Sequence, residues 1–260
     1  MVLILIKLLK TLVQRVLKVN RILLDKIENR VINKDKNEII ININKNENIL
    51  VKESFNYVFN IDNCVVNFLF EIEDKSDINL TFNIINSNVT INSFFYNKSN
   101  VVINSYLNES SVLRVYNSLI SNKTCNVKVN TYHNSSNTKS YIYNCGLTYK
   151  LGSILLDVTS KVYKESIKCD VNQDNKIICL NDKNNNKINP NLLIDCYDVS
   201  AKHGAYIGKF KEKDLFYLMS RGINKDDAYN LLINGYLIGI MQISDEEKEV
   251  LKNKISIKGR

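Results

Sequence analysis

From about residue 51 the chain alternates apolar and polar positions with a period of two. Ile78, Leu80, Phe82 and Ile84 are separated by polar neighbours. Val101, Ile103, Ser105 and Leu107 repeat the pattern, as do Leu113, Val115, Asn117 and Leu119, and Val127 and Val129 begin another run. Such a period places the apolar set on one face of a β-strand. Polar clusters at 74–77, 86–88, 97–100, 108–111, 122–123 and 134–137 separate the runs. Strands at that spacing suit a sandwich, a barrel or a β-solenoid, and the period alone does not choose among them. With only eight glycines, tight two-residue hairpins are disfavoured, although asparagine also tolerates positive φ. Further strands are expected at 39–43, 153–159, 177–180 and 192–199. A polar loop is expected at 181–189, with Pro190 at the entrance to the next strand.

The two ends follow another period. Leu5, Leu8, Leu9, Leu12, Val13, Val16, Val19, Leu23, Leu24, Ile27 and Val31 recur near helical spacing, interrupted by Lys7, Lys10, Arg15, Lys18 and Arg21. This predicts an amphipathic helix over residues 1–33 that packs on protein rather than on a membrane. Its uninterrupted apolar run, Val2 to Ile6, is too short for a spanning helix or an export signal. After residue 210, Leu215, Phe216, Leu218 and Met219 give a short helix over 211–221 an apolar face, and Gly222 stands where a left-handed C′ residue belongs. Asn224 is a natural N-cap for a second helix, with Asp226 and Asp227 in its first turn. A charged third helix begins near Ser244. The expected organisation is an N-terminal helix (1–35), a β core (36–205) and a C-terminal helical region (206–260).

Composition narrows the class. The 260 residues are 45% hydrophobic and 24% charged, which predicts a soluble globular protein of one or two domains. The net charge is +8 and the pI about 9.0, suited to acidic partners. The lysines are scattered and no basic patch is interleaved with aromatics, so nucleic acid is not an expected partner. The abundance of Asn, Ile and Lys is read as AT-rich coding, and the Asn-x-Ser/Thr triplets carry no weight. None of the six cysteines (64, 125, 145, 169, 179 and 196) forms a Cys-x-x-Cys pair. They are expected as reduced thiols of a cytoplasmic protein, mostly small buried residues.

The junction between the two periods carries the chemistry. Asp198-Val199, His203-Gly204-Ala205, Gly208, Leu215-Phe216-Tyr217-Leu218 and Ser220-Arg221-Gly222-Ile223 follow one another there. Upstream, Leu151-Gly152-Ser153-Ile154, Gln173-x-Asn175, the run Ile177 to Leu180, and Pro190-x-Leu192-x-Ile194 precede them in order. Over residues 133–236 the set resembles the C-terminal signature of the SufB/SufD family, D-V-x-C-S-H-G-A-T-x-G followed by L-F-Y-L-x-S-R-G-I. These are scaffold subunits of the SUF iron–sulfur cluster assembly system. The resemblance implies a right-handed parallel β-helix core and a non-catalytic scaffold. It also implies an iron–sulfur cluster assembled transiently at a scaffold–scaffold interface. The implied partners are a SufC-like ATP-binding cassette ATPase and a second scaffold subunit or a second copy, so that a minimal homodimeric system is one expectation.

The resemblance makes His203 the leading metal-facing residue, since neutral imidazole is a good transition-metal ligand. The sequence departs from the signature at Ala201 and Lys202, where cysteine and serine are usual, and at Leu193, where glutamate is common. Cys196 is the nearest thiol and the second metal candidate. On one continuous strand it would lie on the face opposite His203, so only a bend, a bulge or a second subunit could join them. Cys169 and Cys179 are placed on neighbouring strands. His133, Thr138 and Ser140 resemble a family segment, H-x-x-x-x-T-x-S, but are read as a plain turn. Phe216, Tyr217, Arg221 and Gly222 are the expected ATPase-docking residues. Gly204 to Phe210 lacks the spacing and the hydroxyl of a P-loop, so no nucleotide site is expected in this chain. The reading from a different class is a structural or adhesive β-solenoid without metal chemistry; it leaves the helical tail and the His-Gly-Ala turn unexplained.

Overall fold

The computed structural model describes residues 21–23, 30–33, 38–52, 55–72, 77–97, 100–181 and 185–255. Sixteen strands run along the described residues. They are β1 (Ile22–Leu23), β2 (Arg30–Asn33), β3 (Glu38–Ile43), β4 (Glu47–Val51), β5 (Asn56–Asp62), β6 (Val65–Ile72), β7 (Ile78–Ile85) and β8 (Asn88–Tyr96). There follow β9 (Asn100–Asn108), β10 (Val112–Ser121), β11 (Thr124–His133), β12 (Lys139–Thr148), β13 (Ser153–Val162), β14 (Cys169–Cys179), β15 (Lys187–Ile194) and β16 (Val199–Gly208). Three helices close the described chain, α1 (Glu212–Ser220), α2 (Lys225–Ile238) and α3 (Asp245–Lys254).

Consecutive strands do not pair with each other. One sheet has the order β1-β4-β6-β8-β10-β12-β14-β16, the other β15-β13-β11-β9-β7-β5-β3-β2. Every pairing is parallel except β2 with β3. The chain therefore winds between two facing sheets as a parallel β-solenoid, as the resemblance implied. Parallel strands cannot be joined by hairpins, which is why glycine is little needed. Asn63, Asn86, Asn97 and Asn137 hold positive φ at the corners instead, where asparagine bears the left-handed backbone better than most side chains. Gly152 is a genuine steric requirement, since a Cβ there would overlap the Ser121 carbonyl of the preceding corner.

The inward face of each strand carries the alternating apolar set, and stacking rungs bury it in one continuous core. Phe82 stacks on Phe59 at 5.0 Å between centroids and meets Phe68 edge-on at 5.4 Å. Polar positions are stacked as well. Asn83 donates to Asn60 and Asn60 to Asn42, each at 2.8 Å. Inside the core Asn117 donates to Asn144 and Asn144 to Asn175, again at 2.8 Å. Part of the asparagine excess therefore makes inter-rung hydrogen bonds, which codon bias does not explain.

In the second halves of β10 and β12 both faces are buried. The outer face there is covered by α2 and α3, which supply Ile233, Leu237, Ile238 and Leu251 to a second core with Phe94, Ile120 and Leu147. Tyr236 donates to the Lys176 carbonyl at 2.8 Å, and Gln242 exchanges backbone bonds with the Asn92 amide. The C-terminal helices are thus folded onto the sheet.

Three expectations need correction. Residues 22–23 and 30–33, expected within a helix, are strands. β2 pairs with the Ile-rich β3, and pairing there overrides the helical spacing; residues 1–20 and 24–29 lie outside the described set. The strand expected at 192–199 is broken at 195–198, where the chain turns from one sheet to the other. The core also continues to Gly208, so His203 lies within a strand and not before a turn.

Candidate functional site

Among the described residues the solenoid is open at its last rung. β16 and β15 end their sheets, each bonded to one neighbour only. Register identifies which side chains line that opening. Val199, Ala201, His203, Ala205 and Ile207 stand in line with Cys169, Val171, Gln173, Asn175 and Ile177 of β14. Those β14 residues are the inward, buried set. On the other sheet Ile188, Pro190, Leu192 and Ile194 stand over the inward residues Leu156, Val158, Ser160 and Val162. The mouth is therefore mostly apolar with one imidazole in it. His203 is exposed, and Ile207 is 44% exposed although its predecessor Ile177 is fully buried.

Behind the mouth the core is polar and ordered. The interior amide ladder ends with Asn175 donating to the Gly204 carbonyl at 3.2 Å. Gln173, beneath His203, donates to Ser160 at 2.8 Å and to the Asn191 carbonyl at 3.2 Å. A Cβ on Gly204 would meet Asp174 at 3.5 Å and the Gln173 carbonyl at 3.9 Å, both ordinary contacts. The chain's own packing does not require glycine at that point.

His133 is the residue sequence reasoning undervalued. It is fully buried, with Nδ1 2.8 Å from the Thr138 hydroxyl and Nε2 2.9 Å from the Ser140 hydroxyl. Burial lowers its pKa to about 4, opposed by the charge of Asp170 and a hydrogen bond to the Thr138 backbone. The segment from His133 to Ser140 thus joins β11 to β12 through a buried imidazole, where a plain turn was expected. The spacing H-x-x-x-x-T-x-S was the available signal.

The thiols are distributed differently from the expectation. Cys169 and Cys179 are the two ends of β14, about 33 Å apart at the usual rise per residue. Cys196 lies in the corner before β16, and about 13 Å of strand separates Val199 from His203. Its sulfur donates to the Ser166 carbonyl at 3.4 Å, as does that of Cys169. The structure thus joins Cys196 to Cys169 and does not bring it to His203. Burial, followed by the charges of Cys169, Asp198 and Asp195, pushes the Cys196 thiol up. Burial alone raises Cys125 to about 12, and it is the main cause that raises Cys145 to about 11. Among the described residues no group of three or more His, Cys, Asp or Glu side chains converges on a metal-sized site.

Residues 65–236 match the family model described as SUF system FeS cluster assembly, SufBD core domain. The chain belongs to the SufBD family. It is 32% identical over 119 residues to the iron–sulfur cluster assembly protein SufD of Bacillus subtilis, covering 46% of this chain and 27% of that protein. It is 28% identical over 142 residues to SufD of Escherichia coli, covering 54% of this chain and 33% of that protein. A SufBD family protein of Pyrococcus horikoshii is 33% identical over 100 residues, covering 38% of this chain and 21% of that protein. These matches span between about a fifth and a third of the relatives' own length.

The SufBD match runs from β6 through most of α2 and so includes α1. That helix buries none of its residues. Phe216 is 73% exposed and Tyr217 57%. Arg221 lies 5.2 Å from the Tyr217 ring centre and donates to its hydroxyl at 3.3 Å, which fixes the pair as one unit. Gly222 has φ +85°, the left-handed stop expected of it, and Asn224 caps α2 by accepting from the Asp227 N–H at 2.9 Å. No helix among the described residues is long and apolar enough to cross a membrane.

Proposed function

We propose that this SufBD chain is a non-catalytic scaffold of a SUF-type assembly complex. A second scaffold subunit, or a second copy, covers the open mouth, and an iron–sulfur cluster is assembled there as cargo. The observation that carries the reading is the uncovered last rung. His203 and Ala205 stand on the outer edge of the sheet, inward-facing by register yet exposed to solvent, with Gly204 between them. Apolar groups of that kind are stabilised by an added surface at about 25 cal/mol per Å², and a free parallel edge accepts another strand. The glycine that local packing does not demand is consistent with close approach from outside.

The exposed face of α1, with Phe216, Tyr217, Arg221 and Gly222, is the docking surface for an ATP-binding cassette ATPase. Aromatic and arginine side chains held in place lose little entropy on binding and dominate interface energetics. Hydrolysis in that partner would move the scaffold pair and open the mouth. His203 would serve as a ligand there. Ala201 offers no donor, so any thiolate would come from the facing subunit.

The test is anaerobic reconstitution with Fe²⁺ and sulfide, with the second scaffold and the ATPase present. Wild type is expected to gain the visible absorption of a cluster, and His203→Ala to lose most of it. Equal absorption in the variant removes His203 from the ligand set. Phe216→Ala with Tyr217→Ala is expected to abolish co-purification of the ATPase while leaving the fold unchanged. Retention of the ATPase by that variant overturns the docking assignment.

A further inference from the structure

We propose that Cys169 and Cys196 form a dithiolate site for a thiophilic divalent cation of the zinc class, at the corner where the last two rungs stack. Both sulfurs lie 3.4 Å from one oxygen, the Ser166 carbonyl. Twice that length, 6.8 Å, is the largest separation they can have. Two sulfurs bound to one tetrahedral zinc at about 2.3 Å each are a little under 4 Å apart, within reach of side-chain rotation. The two thiols come from different rungs, Cys169 at the start of β14 and Cys196 in the turn before β16.

The surroundings supply oxygen donors and negative charge. The shared Ser166 carbonyl already faces both sulfurs. The Ser166 hydroxyl is fully buried and has no hydrogen-bond partner among the described residues, an arrangement that otherwise costs about 1–3 kcal/mol. The Thr138 hydroxyl is 3.2 Å from the Cys169 sulfur. Asp195 and Asp198 flank Cys196 in the same turn, and their charge acts on its thiol. A divalent cation that displaces both thiol protons leaves a neutral bis-thiolate beside those carboxylates, and the two protons pass to solvent. The half-buried Cys196 gives the ion a way in.

The remaining thiols do not compete in geometry. Cys64, Cys125 and Cys145 are buried, and Cys179 accepts from the Asn186 amide at 3.0 Å. The site is distinct from His203 and rests on none of the cluster chemistry proposed above.

The test is anaerobic titration of the fully reduced chain with Co²⁺, followed by Zn²⁺. The expected result is one equivalent of Co²⁺ with a thiolate charge-transfer band and intense tetrahedral bands, displaced by one equivalent of Zn²⁺. Cys196→Ser and Cys169→Ser should each remove the charge-transfer band and weaken binding by about 100-fold or more, the upper end of what loss of even an outer-shell partner costs. Cys179→Ser and His203→Ala should bind as wild type. Because Cys169 is buried, the Cys196 variant decides the matter if Cys169→Ser fails to fold. Survival of the band in Cys196→Ser overturns the proposal, as does a wild-type spectrum showing only weak octahedral bands. Loss of binding in His203→Ala would equally overturn it, by joining the site to the mouth.

Discussion

The middle rungs and the last rung share one sequence rule and differ in outcome. In β7 the inward residues Ile78, Leu80, Phe82 and Ile84 are at most 1% exposed. In β16 the inward residues Ala201, His203, Ala205 and Ile207 are exposed. Both strands keep a period of two, although β16 carries Ala201, His203 and Ala205 where β7 carries large apolar residues. What also differs is whether another rung follows. Burial of an aliphatic side chain is worth about 1.5–3 kcal/mol, and in a solenoid much of it comes from the neighbouring rung. The last rung therefore holds stabilisation that only an added surface can release. At the far end of the second sheet, β2 pairs antiparallel with β3 and alters the edge that parallel stacking would extend. The open rung carries Pro190 and Lys202, both of which limit indiscriminate edge pairing.

The comparison is broken most forcefully inside the stack. Phe82→Ala removes a ring that touches Phe59, Phe68 and Phe70, and a loss of about 3–5 kcal/mol is expected in denaturant unfolding. A loss under about 1 kcal/mol would mean that the middle rungs are no better packed than the mouth.

His133 sharpens it through pH. Its folded pKa, about 4, lies below the ordinary 6.5, because burial disfavours the charged ring. Between those values the unfolded chain binds more protons than the folded one, so stability rises with pH. The contribution is full above about pH 6.5 and is lost as pH falls toward 4. Its size is on the order of 3 kcal/mol. Unfolding measured across that window should steepen on acidification in wild type and flatten in His133→Gln. Equal slopes would show that the imidazole is not held neutral by the core.

Local period made most of this legible. Strands and helices followed from spacings of two and of three to four, and the caps at Gly222 and Asn224 from residue type. Contacts between rungs were not legible, because the rung length drifts. The asparagine bonds Asn60–Asn83, Asn117–Asn144 and Asn144–Asn175 span 23, 27 and 31 residues. No fixed repeat reveals such a ladder, and codon bias offered an easier reading of the same residues. His133 was missed for a related reason. Thr138 and Ser140 face it only after the chain has turned a corner into the other sheet. The corner at 195–198 had a signal that was not used, since the inward positions change parity across it, from 188–194 even to 199–207 odd. At that turn Cys196 shares the Ser166 carbonyl with Cys169, although the bend needed to bring it to His203 is present.

The smallest expected effect bears most directly on the open rung. Ile207 stands in line with the buried Ile177 but is itself 44% exposed. Ile207→Ser should cost the isolated chain about 1 kcal/mol, since 44% of its surface stays in water on folding. Covered by a second scaffold, the same side chain would be desolvated. The variant should then weaken that association about tenfold or more, the equivalent of about 1.4 kcal/mol. Unfolding of the dilute chain and sedimentation of the mixed subunits read the two quantities separately. A stability loss matching that of Phe82→Ala would mean that the mouth is already closed within one chain. Unchanged association would mean that the partner covers another face. Only a variant nearly silent in the first measurement and costly in the second fits a rung left unfinished by its own chain.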